Sequence, residues 1–67
     1  MNDQELLARK IVSIRESNNM SQLELAKKAN IERTALNKIE KGTRKVSSDE
    51  LKRIALALHQ STDSLLL

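Results

Sequence analysis

The apolar residues near the start of the chain recur at the spacing of a helix. Leu7, Ile11 and Ile14 follow one another at intervals of three or four residues, and Ala8 and Val12 widen the apolar stripe. An asparagine pair then interrupts the pattern and signals a turn. This stretch therefore predicts a first helix with one face turned towards a core.

Two shorter helical patterns joined by a tight turn come next. Ser21 and Glu24 have the spacing of a capping box, in which each side chain accepts the backbone N–H of the other residue. Asn30 stands where a left-handed residue would turn the chain, a conformation that asparagine tolerates better than most residues. A second apolar pattern then runs as far as Gly42, which ends it. This arrangement is typical of a helix-turn-helix.

The second half of the chain opens with another capping box, formed by Ser47 and Glu50. Leu51, Ile54 and Leu58 then supply one apolar face, and a short terminal pattern follows. The five helices are predicted over residues 4–17, 22–29, 33–41, 48–59 and 62–66. The predicted fold is all-α, a compact five-helix bundle in a single domain over residues 1–67 with the helix-turn-helix at helices 2–3.

The composition supports this fold class and excludes several functions. The chain has no aromatic residue, no proline and one glycine, whereas strands favour aromatic and β-branched residues. The absence of cysteine excludes disulfides and thiolate metal sites, and the apolar runs are too short to cross a membrane. The only histidine, His59, is interpreted as a surface residue. We therefore expect a cytoplasmic protein with no catalytic residues, no metal and no cofactor, and so not an enzyme.

The charge of the chain is concentrated on one segment. The net charge is +3, but residues 21–46 carry seven basic and three acidic side chains, a net charge of +4. The remaining residues carry five basic and six acidic side chains. A polyanionic partner would be attracted to the basic segment.

The pattern resembles the lambda-repressor-like, or Xre/Cro, family of helix-turn-helix proteins, and the resemblance covers nearly the whole chain. The residues that carry it are Arg15, Ser21, Gln22, Leu25, Ala26, Ile31, Leu36, Ile39, Glu40, Gly42, Leu51, Ile54, Ala55, Leu58 and residues 63–66. The resemblance implies a sequence-specific regulator of transcription that binds double-stranded DNA. It further implies a repressor that binds an inverted-repeat operator as a homodimer, with its third helix in the major groove.

The expected base-contacting residues lie on the outer face of that third helix, opposite Leu36 and Ile39. They are Glu32, Arg33, Thr34, Asn37 and Lys38. Arginine can bind guanine through two hydrogen bonds, asparagine can do the same with adenine, and threonine suits a thymine methyl group. A carboxylate at residue 32 departs from the family, where serine or threonine commonly caps this helix. It would repel a nearby phosphate unless it accepts a hydrogen bond from cytosine N4.

The expected phosphate contacts come from two places, the start of the second helix and the loop after the third. They are Ser21, Gln22, Thr43, Arg44 and Lys45. A helix N-terminus offers free backbone N–H groups and a favourable dipole to an anion. Such contacts set affinity and register without reading sequence.

Two further assignments concern packing and assembly. The resemblance implies an ion pair between Arg15 and Glu40 that ties the first helix to the third. One or two of the terminal leucines should cover the fourth helix. Any apolar surface left over at Leu65, Leu66 and Leu67 would form a dimer contact.

Other functions remain compatible with the same scaffold. One alternative is a protein–protein interaction module, such as an antitoxin or an antirepressor partner. Another is the N-terminal DNA-binding domain of a longer regulator. The basic loop and the polar face of the third helix favour DNA over a protein partner, and nothing in the sequence indicates a membrane or a small-molecule substrate.

Overall fold

Most of the helices begin at a side-chain cap, and a left-handed turn residue follows four of the five. The computed structural model describes residues 2–66, and this part of the chain contains no strand. The helices are α1 (Asp3–Ser17), α2 (Gln22–Ala29), α3 (Arg33–Glu40), α4 (Ser48–Ala57) and α5 (Thr62–Leu66). Over the same residues, no helix combines the length and the apolar character needed to cross a bilayer.

Side-chain caps begin three of the four longer helices. The side chain of Asn2 accepts the backbone N–H of Glu5 at the start of α1. Both predicted capping boxes are present, one at the start of α2 and one at the start of α4. The exception is α3, whose N-cap residue Glu32 makes no side-chain cap hydrogen bond. The position of α3 therefore depends on contacts with the rest of the molecule.

A left-handed residue follows each of these four helices. Asn19, Asn30, Gly42 and His59 all have φ between 54° and 76°. In each case the next amide donates to a carbonyl five residues earlier, over 2.9–3.1 Å, so carbonyls of the last turn are satisfied. These turns close α3 one residue earlier than predicted and α4 two residues earlier.

The core draws apolar side chains from all five helices. The largest of the fully buried side chains are Ile11, Leu25, Leu36, Ile39, Ile54, Leu58 and Leu65, each no more than 1% exposed. Helix α2 packs against α4 and α3, while α1 packs against α3 and α5. Because α2 and α1 together cover its inner side, α3 leaves its outer side free.

The predicted dimer contact at the terminal leucines needs a correction. Leu65 is 1% exposed and belongs to the core, so its side chain is unavailable to a second subunit. The five-residue helix α5 turns it inwards against the bundle. Leu66 is 60% exposed, as a dimer contact would require. Leu67 lies outside the described residues.

The ion pair predicted between Arg15 and Glu40 is present and is bidentate. Nε and Nη2 of Arg15 donate to the two carboxylate oxygens of Glu40 over 2.8 and 3.0 Å. Nη1 of Arg15 donates to the carbonyl of Met20, and Nε2 of Gln22 donates to Glu40 over 3.1 Å. The Arg15 and Glu40 side chains are only 13% and 6% exposed. This network fastens α1 and α2 to the end of α3.

The first turn of α1 holds the same end of α3 from another side. Nε2 of Gln4 donates to the carbonyl of Gly42 over 2.8 Å. A Cβ atom at Gly42 would lie 3.3–3.4 Å from atoms of Glu5, in a backbone conformation with φ of 76°. Glycine at this position therefore permits both the turn and the close approach of α1.

The Arg15–Glu40 network generates a stability prediction. Glu40→Ala should lower the free energy of unfolding by about 3–5 kcal/mol, because it leaves a largely buried guanidinium unpaired. Chemical denaturation monitored by circular dichroism measures this loss. Glu16→Ala, which removes an exposed carboxylate from the same region, is the matched control and should change stability by no more than about 0.5 kcal/mol. Equal stabilities of the two variants would contradict the structural importance of the network.

Candidate nucleic-acid interface

The outer side of α3 presents a row of polar side chains. Arg33, Thr34 and Lys38 are exposed and Asn37 is half-buried, while Leu36 and Ile39 on the other side are in the core. The alternation follows from the period of the helix, since residues 33, 34, 37 and 38 share one face. The structure thus places these four residues on one face of α3, as the sequence predicts.

A shallow groove brings this row together with the start of α2. The groove has a volume of about 310 Å³ and is lined by Gln22, Arg33, Thr34, Asn37 and Lys38. We call these five residues the reading surface. Gln22 was predicted as a phosphate contact, but its side chain lies among the predicted base contacts. Its Nε2 is held by Glu40, so its amide is fixed in one orientation with the oxygen still able to accept.

Glu32 lies apart from the reading surface. It is exposed and borders a different shallow groove, together with Leu23, Lys27 and Ile31 on the side of the helix-turn-helix turn. Arg33 is the only residue that borders both grooves. Glu32 therefore shares a groove with Arg33 but not with Thr34, Asn37 or Lys38.

Ser21 is engaged with Glu24 through both its backbone and its side chain. Its Oγ accepts the N–H of Glu24 over 3.0 Å, and its own N–H donates to the Glu24 carboxylate over 3.1 Å. The hydrogen bond from the Ser21 backbone, followed by that from its side chain, lowers the pKa of Glu24 below its usual value. An anion at the start of α2 would therefore compete with the Glu24 carboxylate for the hydroxyl proton of Ser21.

In the loop after α3, two of the predicted phosphate contacts already form hydrogen bonds within the protein, and the third does not. Oγ1 of Thr43 donates to the carbonyl of Lys38 over 3.2 Å, so its proton is used within the protein. The two terminal nitrogens of Arg44 each donate to a different oxygen of Glu50 over 3.0 Å. Lys45 is exposed and forms no ion pair within the described residues. Of the three predicted phosphate contacts in this loop, only Lys45 presents an uncompensated charge.

The pairing with Arg44 also changes the titration of Glu50. The hydrogen bonds from the guanidinium, followed by the bond from the Ser47 amide, lower the pKa of Glu50 from 4.5 to about 2. No sequence pattern indicates this pair. The capping box accounts for Glu50 in the sequence, and only the loop conformation brings Arg44 to it.

No group of three metal-ligating side chains comes together within residues 2–66. The arrangement on the outer side of α3 consists of donors, acceptors and fixed positive charge. Such a set suits the edges of bases and the phosphates that flank them.

Comparisons with known proteins identify the same helix-turn-helix. The helix-turn-helix family profile matches residues 11–65. The restriction-modification controller protein C.AhdI from Aeromonas hydrophila aligns with a TM-score of 0.91 and 25% identity, over 94% of this chain and 96% of that protein. The clp gene regulator ClgR from Corynebacterium glutamicum aligns with a TM-score of 0.95 and 27% identity, over 98% and 70%. The wild-type controller protein C.Esp1396I aligns with a TM-score of 0.89 and 28% identity, over 97% and 86%. The comparison with curated proteins gives no match.

The Arg44–Glu50 pair generates a prediction about pH. The pKa of Glu50 is depressed in the folded state, so the pair stabilises the protein fully above pH 4.5. That contribution disappears as the pH falls towards 2. Glu50→Gln keeps an acceptor for the Ser47 cap but removes the charge. We expect it to cost about 1 kcal/mol at pH 7, because Arg44 is 38% exposed and solvent weakens the pair.

Urea denaturation of both proteins at pH 7 and at pH 3 measures the difference in unfolding free energy. The difference should be smaller at pH 3 than at pH 7. A difference that stays constant, or that grows towards pH 3, would contradict the assigned pKa of Glu50.

Proposed function

The chain belongs to the lambda-repressor-like, Xre-type helix-turn-helix family of DNA-binding transcriptional regulators, and we propose that it represses transcription as a homodimer bound to an inverted-repeat operator. The observation that carries the proposal is the reading surface, where a rigidly held helix presents several hydrogen-bonding side chains along one groove. The proposed activity is binding, without a catalytic step or a cofactor. Its place of action is the nucleoid in the cytoplasm of a prokaryotic or phage-infected cell.

Base recognition is assigned to α3 and to Gln22. Arg33 suits O6 and N7 of guanine, and Asn37 suits N6 and N7 of adenine. Thr34 suits a thymine methyl group, and Lys38 suits a further guanine. Glu32 would accept from cytosine N4 at the edge of the site, because a phosphate at that position would be repelled.

Phosphate contacts are assigned to both sides of the reading surface. On one side, the first backbone N–H groups of α2 would donate to the DNA backbone, and the hydroxyl of Ser21 would join them by exchanging its hydrogen bond to Glu24 for one to a phosphate. On the other side, Lys45 would supply the main positive charge of the loop. Arg44 would donate to a phosphate through its remaining guanidinium N–H groups. Thr43, whose hydroxyl and amide both donate to Lys38, would reach a phosphate only by giving up its hydroxyl bond to that carbonyl.

The dimer is assigned to the groove between α1 and α5. This groove has a volume of about 700 Å³, and exposed Leu6 and Leu66 lie on it together with Leu7 and Val46. A two-fold axis at this position would bring the same leucines of both subunits together. Two reading surfaces would then face half-sites about one helical turn apart.

Selection of bound duplexes from a random DNA pool, at two salt concentrations, tests the proposal. The wild-type chain should enrich an inverted repeat with the half-site spacing of one helical turn. Arg33→Ala should enrich the same repeat with one base position relaxed, at a cost of about 1–3 kcal/mol on the best site. Lys45→Ala should keep the full repeat, weaken all duplexes alike and reduce the salt slope by about 0.9.

The outcomes separate the candidate functions. Salt-dependent binding without an enriched sequence would reduce the site to a basic surface and overturn the assignment of base contacts. Absence of binding at low salt would favour a protein–protein interaction module on the same scaffold. An enriched single half-site would overturn the homodimer and keep the base contacts.

A further inference from the structure

Arg53 makes contacts that the sequence did not indicate. It lies on α4, outside the helix-turn-helix, and its side chain is half-buried. Its Nη1 donates to the carbonyl of Asn30 over 2.7 Å and to that of Ala29 over 3.2 Å. Its Nε is 3.1 Å from Asp49, although the N–H is not directed at that oxygen. The guanidinium is therefore anchored mainly on two backbone carbonyls, 23 and 24 residues earlier in the chain.

These two carbonyls belong to the turn of the helix-turn-helix. The amides of Asn30 and Ile31 donate back to Lys27 and Ala26, so they complete the end of α2. The carbonyls of Ala29 and Asn30 point the other way, at the negative end of the helix dipole. A guanidinium is the side chain best suited to bind two such oxygens, since charge-assisted hydrogen bonds are stronger than neutral ones.

The turn determines where α3 begins. Only Ile31 and Glu32 separate Asn30 from Arg33, the first helical residue of α3. The start of α3 has no side-chain cap of its own, whereas its other end is held by the Arg15–Glu40 pair. The start of α3 has no side-chain cap, and the contacts of Arg53 lie next to it.

The geometry points to Arg53 as a positioning residue for DNA reading. It holds the turn at one position relative to α4, and so it fixes how Arg33 and Thr34 project from the start of α3. Arg53 on α4 holds the turn before α3, and Arg15 on α1 holds the other end of α3. Both arginines belong to helices outside the helix-turn-helix. This inference rests on the proposed function, because it concerns how accurately the same surface meets the bases.

The test compares Arg53→Met with Lys52→Met. Both variants remove one positive charge from the same helix, but Lys52 is exposed and forms no ion pair within residues 2–66. Affinities are measured for the duplex enriched by the wild type and for a scrambled duplex of equal length, at a temperature where all variants are folded. Amide hydrogen exchange of Ile31, Glu32 and Arg33 is measured in the absence of DNA.

We expect Arg53→Met to lower affinity for the enriched duplex about tenfold, on the order of one lost bidentate base contact. Its affinity for the scrambled duplex should match that of Lys52→Met. Exchange at the three turn amides should be faster in Arg53→Met alone. A purely stabilising role would leave the ratio of the two affinities unchanged in the folded protein.

The failures are distinguishable. A wild type that binds both duplexes equally overturns the proposed function. A discriminating wild type, with an unchanged affinity ratio in Arg53→Met, overturns only the role of Arg53. If Arg53→Met does not fold, Arg53→Lys takes its place, because it keeps the charge but its nitrogen lies one bond closer to the backbone than Nη1, the atom that donates to both carbonyls. A reduced affinity ratio in Arg53→Lys supports the role, and a wild-type ratio overturns it.

Discussion

The orientation of the proposed reading surface depends on the carboxylate of Glu40. This carboxylate is almost fully buried and accepts hydrogen bonds from Arg15 and Gln22, which belong to two other helices. A buried ion pair adds little net stability compared with apolar residues of the same size, since its desolvation is costly. For this surface, the directionality of the ion pair is more important than its contribution to stability. The bidentate geometry permits one arrangement of the three helices, and that arrangement aligns Gln22 with the outer face of α3.

The need for such fixation follows from the size of α3. A helix of eight residues is unstable alone, and this one also lacks a side-chain cap at its start. Leu36 and Ile39 bury its inner side, but apolar packing alone tolerates small rotations. Directional contacts at the ends remove that freedom before DNA binds. A surface held in one geometry loses less entropy on binding, which favours discrimination between base sequences.

The sequence predicted the features that depend on residues close together in the chain. The capping boxes at Ser21 and Ser47 and the turn residues Asn30 and Gly42 could be predicted, because each acts within a few residues. The left-handed turn at His59 and the burial of Leu65 rather than Leu66 depend on how α4 and α5 dock, which no local pattern encodes. Three further contacts likewise depend on the assembled helices: those of Arg53 with the turn carbonyls, that of Gln4 with Gly42, and the Arg44–Glu50 pair. The sequence therefore predicted that Arg33, Thr34, Asn37 and Lys38 share one helix face, whereas the place of Gln22 beside them and the contacts that orient α3 required the fold.

If the reading surface binds DNA as one rigid unit, an NMR titration of backbone and side-chain resonances with the enriched duplex will show it. We expect the largest shift changes at the amides of Arg33, Thr34 and Asn37, at the side-chain amide of Gln22 and at the first amides of α2. We also expect the resonances of the Arg15–Glu40 pair to remain in place. Dominant changes along the groove between α1 and α5, with α3 unaffected, would contradict binding through the reading surface.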